Sequence, residues 1–186
     1  MRASAPALLT LAAATSFALA AAAQSSAPSP KQAELDDPTI VAIFDAANTA
    51  DIETGELAAE RGQSKEVREF GAMLARDHKQ VRQLGRDLAA KLHVTPTPPE
   101  DDASQKSHAA ALESLRAKSG AEFDAAFLRH EAAFHKSVID AVQTTLLPAI
   151  RNEELRGLVV KVAPAFEAHM LAAQNLEKQL GRAATK

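Results

Sequence analysis

A glutamate and a histidine near the centre of the sequence have the spacing of neighbours on one face of a helix. Glu131 and His135 are four residues apart, which places their side chains one above the other. The same face continues through Leu128 and Ile139, so both polar groups are expected among apolar neighbours. A carboxylate and an imidazole in such surroundings need a hydrogen-bond partner, an ion-pair partner or a metal ion.

Three further segments place a polar side chain on an apolar stripe. His78 follows Leu74 by four residues, His169 follows Phe166 by three, and Glu53 borders the stripe of the first helix. Imidazoles and carboxylates that converge inside a helical bundle are the usual ligands of iron, zinc, manganese or copper. The sequence therefore indicates a candidate site for a divalent metal, with five tentative ligands: Glu53, His78, Glu131, His135 and His169.

Two other interpretations fit the same residues. A single histidine on an apolar face is more often a hydrogen-bonded core residue, and Glu131 with His135 could form a buried ion pair. In this first interpretation the polar core is purely structural, and the protein is an envelope interaction or stress-protective module. A redox enzyme of the ferritin type is the second alternative, but it requires a Glu-x-x-His motif. The positions three before the histidines are Ala75, Ala132 and Phe166. The sequence predicts no reaction, partner protein or oligomeric state.

The elements that position these side chains are predicted to be helices. Alanine, leucine and charged residues dominate, glycine is scarce, and no sustained alternation indicates a strand. We predict an all-α protein, an up-down-up-down four-helix bundle with an extra short helix before the third main helix. If the first and third turns lie at the same end, the rise of 1.5 Å per residue puts the three histidines within about 9 Å of one another in depth. The predicted helices span residues 38–61, 64–92, 103–118, 120–147 and 152–180.

Local signals refine these boundaries. Asp37 before Pro38 predicts the start of the first helix, with Asp37 as its N-cap. Ser119 and Glu122 have the form of a capping box, so both should satisfy the first amides of the third main helix, which begins at residue 120. Pro164 lies inside the fourth main helix, residues 152–180, and predicts a kink or a break there.

The chain divides into four parts. Residues 1–23 have the positive start, apolar centre and small-residue end of a secretory signal peptide, and we expect cleavage and export to the periplasm or beyond. Residues 24–37 are predicted to be a disordered tether, residues 38–181 the bundle, and residues 182–186 a flexible tail. After cleavage no transmembrane anchor is expected. A formal net charge of −3 without a basic stripe gives no indication of nucleic-acid binding.

An ordered set of short motifs resembles the bacterial family called domain of unknown function 4142. The resemblance covers about residues 38–180, and it implies an exported, ferritin-like helical bundle whose biochemical role is unassigned. It also implies that Glu53, His78, His135 and His169 are the recurring polar positions. The motifs run from Phe44 to Ala47, from Asp51 to Ala58, from Phe70 to His78 and from Ser119 to Asp124, and are followed by the His135 segment and by Pro164 with His169.

Overall fold

A computed structural model describes residues 35–100 and 102–184, and this part of the chain is helical, with no strand in it. The all-α prediction is confirmed. The predicted signal peptide and nearly all of the predicted tether lie outside the described residues. In chain order the elements are α1 (Asp37–Arg61), α2 (Lys65–Lys91), α3 (Ser104–Arg116), α4 (Gly120–Ala141), a π-helical segment (Val142–Leu146), α5 (Leu147–Ala149) and α6 (Glu153–Ala184).

Four long helices surround a common core. The most extensive contacts are between α1 and α2 and between α4 and α6, while α2 also packs on α6 and α1 on α4. The pair α1–α2 is especially close where Gly55 and Gly71 face each other, since a Cβ at Gly71 would lie 2.6 Å from the carbonyl oxygen of Gly55. Among the described residues no helix is both long and apolar enough to span a bilayer.

The direction of the helices differs from the prediction. The carboxylate of Asp124, near the start of α4, accepts the backbone N–H groups of Gln63 and Ser64 in the α1–α2 turn, each at 2.8 Å. Asp37, the first residue of α1, accepts the N–H of Asn152 in the turn before α6 at 2.9 Å. The two turns therefore lie at opposite ends. The long helices run up, down, down and up, and the predicted up-down-up-down order is wrong.

The connection between α2 and α4 explains the difference, because it crosses the length of the bundle. At one end the N–H of Thr97 donates to the carbonyl of Pro38, at the beginning of α1. At the other end the Arg61 guanidinium donates to the carbonyl oxygens of Arg116 and Lys118. Helix α3 lies between these points, and its 13 residues span about 20 Å. The crossover lets α4 run parallel to α2 instead of antiparallel to it.

Two predicted helix starts need correction. The N-cap of α1 is Asp36, whose carboxylate accepts the N–H of Thr39 at 2.9 Å, and Asp37 is already helical. Ser119 is the N-cap residue of α4, as predicted, but its side chain makes no capping hydrogen bond. Glu122 pairs instead with Lys118 at 2.7 Å, because the preceding turn offers it a closer cation. The predicted reciprocal capping box is therefore not formed.

Two prolines shape the second half of the chain. Leu147 donates its N–H to the carbonyl of Val142, five residues back, and the π-helical segment ends at Leu146, two residues before Pro148, which has no N–H to donate. Pro164 lies inside α6 without breaking it, so the predicted break is absent and the helix is continuous as far as Ala184. Residues 182–184 of the predicted flexible tail are consequently helical.

The core is divided into three layers. One apolar cluster lies towards the α1–α2 turn and contains Phe70, Leu74, Phe123, Phe127 and Leu128. A second lies towards the start of α1 and contains Ile40, Phe44, Leu155, Val159 and Phe166. Asp124 is buried at the α1–α2 turn, and the other buried polar residues of each long helix fall between the residues that belong to these two clusters. They form a mid-bundle polar layer of Asn48, Asp51, Thr54, His78, Glu131, His135 and His169.

Candidate metal centre

Each long helix contributes to the polar layer at nearly the same height. Counted from the end at which α1 begins, Asp51 of α1, His78 of α2, His135 of α4 and His169 of α6 lie about 13 to 16 residues along, or about 20 to 24 Å. Glu131 is one turn further along α4. The structure therefore brings together His78, His135, His169 and Glu131, although the helix directions on which the depth estimate depended are different.

The three histidine rings form a nearly equilateral triangle. Their centres are 5.5 Å apart for His78 and His135, 5.2 Å for His78 and His169, and 5.4 Å for His135 and His169. All three side chains are buried, and one ring nitrogen from each lies within 4.8 Å of the other two. Imidazoles bound to one tetrahedral ion through nitrogens at about 2.0–2.1 Å have ring centres about 5 Å apart. The spacing fits a shared ion.

A fixed amide determines which nitrogen of His78 carries the proton. The side-chain nitrogen of Asn48 donates to the carbonyl of Phe44 at 2.8 Å, so its Oδ1 faces His78 as an acceptor. His78 Nδ1 lies 2.9 Å from that oxygen and must donate to it. The Nε2 atom then carries a lone pair, and this atom is buried with no hydrogen-bond partner in the described structure.

The other two rings follow the same rule. His135 Nδ1 donates to the backbone oxygen of Glu131 at 2.9 Å, and its Nε2 has no partner among the described residues. His169 Nε2 donates to the carboxylate of Asp77 at 3.4 Å, and its Nδ1 likewise has no partner there. A ligating histidine typically has one nitrogen held by an oxygen and the other left for the metal. All three histidines satisfy this condition.

Burial also keeps the rings neutral. Loss of solvation, reinforced by the two neighbouring imidazoles, lowers the pKa of His78 to about 3. The same effect and the proximity of His169 lower the pKa of His135 to about 4. Burial lowers the pKa of His169 too, against the opposing attraction of the Asp77 carboxylate. Neutral imidazole is the form that binds metals, so at neutral pH the three nitrogens need not lose a proton first.

Two buried carboxyl groups lie next to the triangle. Glu131 Oε2 and Asp51 Oδ1 are 3.5 and 3.8 Å from His135 Nδ1, and Asp51 Oδ2 is 3.4 Å from His78 Nδ1. Within the described residues no hydrogen bond of ordinary geometry reaches any of the four carboxyl oxygens, although Thr54 and Asp51 lie close enough to oppose the effect of burial on the pKa of Glu131. Burial raises the pKa of Glu131 to about 7, and burial together with Glu131 raises the pKa of Asp51. The two groups could bind a cation or compensate its charge.

Glu53, which the sequence placed at this site, lies elsewhere. Its side chain is 47% exposed, and its Oε2 accepts a hydrogen bond from His108 Nε2 at 2.8 Å. The inward carboxylate of α1 is Asp51, two residues earlier and therefore on a different face of the helix. Phe44, Asn48 and Asp51 follow one another at spacings of four and three residues. That pattern in the sequence could have identified Asp51 and Asn48 as inward-facing.

Comparison with known proteins gives one family. Residues 21–176 match the model of the family described as Domain of unknown function (DUF4142), in agreement with the resemblance of the motifs. The chain matches no curated protein and no solved structure.

Proposed function

We propose that this chain, which belongs to the Domain of unknown function (DUF4142) family, binds one transition-metal ion in the mid-bundle polar layer. His78 and His135 would bind through Nε2, and His169 through Nδ1. One observation carries this proposal: each of three adjacent buried rings has one nitrogen without a partner among the described residues, while its second nitrogen is held by a different oxygen.

The alternative of a purely structural polar core accounts less well for these contacts. Leaving a buried polar atom without a hydrogen bond costs about 1–3 kcal/mol. The described polar layer contains seven such atoms, and all of them belong to the three histidines, Asp51 and Glu131. A bound cation would satisfy these lone pairs together. The hydrogen bonds present in the described structure do not reach them.

The donor set narrows the choice of metal. Imidazole nitrogens suit zinc, iron and copper, whereas manganese favours oxygen ligands. A dipositive ion held by three neutral histidines brings a charge of +2 into a buried site, and Asp51 and Glu131 can compensate it after losing their protons. An ion with three protein ligands keeps a position for an exchangeable ligand, such as water. We propose no reaction at that position.

The setting of the site is also part of the proposal. Signal-like residues 1–23 support export of the protein to the periplasm. A four-helix bundle with one long crossover connection is the arrangement of ferritin-like folds, and the chain follows that pattern between α2 and α4. The absence of Glu-x-x-His at all three histidines favours a single-metal protein over a ferritin-like redox enzyme.

Metal analysis of the protein, expressed with export and purified without a histidine tag, tests this function. We expect about one zinc, iron or copper ion per chain, and loss of that ion in His78→Ala. The matched control is His93→Ala, which changes an exposed histidine at the end of α2. Metal-free protein that takes up none of these ions on titration would refute the site and favour the structural polar core. Fractionation of the expressing cells tests export separately.

A further inference from the structure

A groove separate from the metal centre runs along the other side of α1. It has a volume of about 1090 Å³ and lies between α1, the Arg82–Arg86 part of α2, α4 and the crossover that carries α3. Small side chains of α1, among them Ala42, Ala46 and Ala50, line it and leave the space open. None of the three clustered histidines lines it. Its volume is at the upper limit of the range of ligand pockets, about 300–1,000 Å³.

Among the described residues, the carboxylates along this groove already have partners. Asp45 receives two hydrogen bonds from the Arg86 guanidinium, at 2.5 and 2.9 Å. Glu53 accepts the hydrogen bond from His108, and Asp102 accepts a backbone N–H at the start of α3 at 2.8 Å. Their charges are therefore directed at neighbouring groups and not into the groove.

Arg82 is different. Its guanidinium makes one side-chain hydrogen bond, from Nη1 to the Thr49 hydroxyl at 3.1 Å, and no carboxylate in the described part of the chain pairs with it. The side chain is half-buried and lines the groove. An arginine has five N–H donors in a planar fork that matches a carboxylate or a phosphate. The groove thus combines apolar walls with one cation that has donors to spare.

We propose that this groove binds a single-chain anionic amphiphile, with the hydrocarbon chain along α1 and the acidic head at Arg82. The lining extends along α1 from Val41 to Glu53, about 18 Å at 1.5 Å per residue, which suits an elongated chain. A second copy of the protein would need an apolar ridge to enter the groove. The large apolar side chains exposed in the described structure are Leu84, Val160 and Leu171, which lie singly on α2 and α6.

Titration calorimetry of the delipidated protein, purified after export, with palmitate and with methyl palmitate tests the proposal. We expect one palmitate per chain, and an affinity for the uncharged ester at least tenfold weaker, because a charge-assisted hydrogen bond is lost. Arg82→Gln should weaken palmitate about tenfold and leave the ester unchanged. Arg129→Gln, which removes an exposed arginine of α4 outside the groove, is the control and should bind as the wild type does.

A second variant tests the apolar part of the groove. Ala46→Phe fills the space beside α1 and should abolish binding of both ligands, while circular dichroism and the melting temperature show that the variant is folded. Equal affinity for palmitate and its ester, or no binding of either, would overturn the proposal. So would a dimer in solution that dissociates in Ala46→Phe, because the groove would then be an interface between copies of the chain.

Discussion

Asn48→Ala separates a metal site from a structural polar core more sharply than removal of a ligand does. Asn48 touches no metal in the proposed arrangement, and its effect passes through one hydrogen bond of 2.9 Å to His78 Nδ1. Without this acceptor His78 Nδ1 keeps only the Asp51 oxygen at 3.4 Å, so the proton is held less firmly on Nδ1 and Nε2 is less often free for the ion. We expect metal affinity to fall about 10- to 100-fold, which corresponds to about 1.4–2.8 kcal/mol.

The same variant has a cost that does not involve metal. The buried N–H of His78 is left with only the more distant Asp51 oxygen, at 3.4 Å, so the free energy of unfolding of the metal-free protein should fall by about 1–3 kcal/mol. Competition with a chromophoric zinc chelator measures the first effect, and urea unfolding of metal-free protein measures the second. Asn175→Ala, at an exposed position of α6, is the control for both. A destabilised Asn48→Ala protein that binds zinc as tightly as the wild type would refute the reasoning.

Three further predictions concern packing, pH and His169. Gly71→Ala should destabilise the protein by about 1–3 kcal/mol in urea unfolding, because its methyl meets the backbone of α1; an unchanged midpoint would contradict this contact. The metal-free protein should lose stability as the pH falls from about 6.5 towards 3. In this range His78 is protonated in the unfolded chain but stays neutral in the folded protein, where its pKa is about 3. Glu131, with a pKa of about 7 in the fold, acts in the opposite sense between about pH 4.5 and 7, so the difference between wild type and His78→Gln isolates the histidine; parallel profiles would refute the assignment. Asp77→Asn should weaken zinc binding about tenfold through His169 with little change in stability, as Asp77 is 35% exposed; equal zinc affinity would exclude this contact as a determinant.

Helix positions could be predicted from the sequence because their signals are local. Apolar residues recur every three or four positions, and prolines and glycines mark the ends, so the long helices have nearly their predicted boundaries. Helix direction could not be obtained in this way. It depends on whether the connection after α2 turns back or crosses the bundle, and that is decided by long-range contacts such as Asp124 with the α1–α2 turn.

The histidines were accessible to sequence reasoning for the same reason. His78, His135 and His169 continue apolar stripes that are visible in the sequence, and the inward face of a helix is a local property. Glu53 was placed at the site because it borders such a stripe, although its side chain leaves the bundle towards His108. Asp51 was overlooked because an aspartate is seldom buried, and burial of this one makes sense only beside the histidines of other helices.

Pro164 offers a final test, in which stability and metal affinity should change in opposite directions. It lies in α6 five residues before His169, and its ring cannot donate a hydrogen bond to the carbonyl of Val160. Both Pro164 and Val160 are exposed, so water can satisfy that carbonyl, but the helix still contains its least favourable residue. Pro164→Ala should raise the free energy of unfolding of metal-free protein by up to about 3 kcal/mol.

If the proline also tilts the following turns of α6 and so directs His169 towards His78 and His135, the same change should weaken metal binding. Gly157→Ala is the matched control on this helix, since its added methyl meets nothing within 4 Å. It should stabilise the protein by about 1 kcal/mol without moving a ligand. Thermal melts of the wild type and both variants, with and without zinc, compare the two effects. A metal-induced shift in melting temperature as large in Pro164→Ala as in Gly157→Ala would show that the ring of His169 is positioned by packing alone.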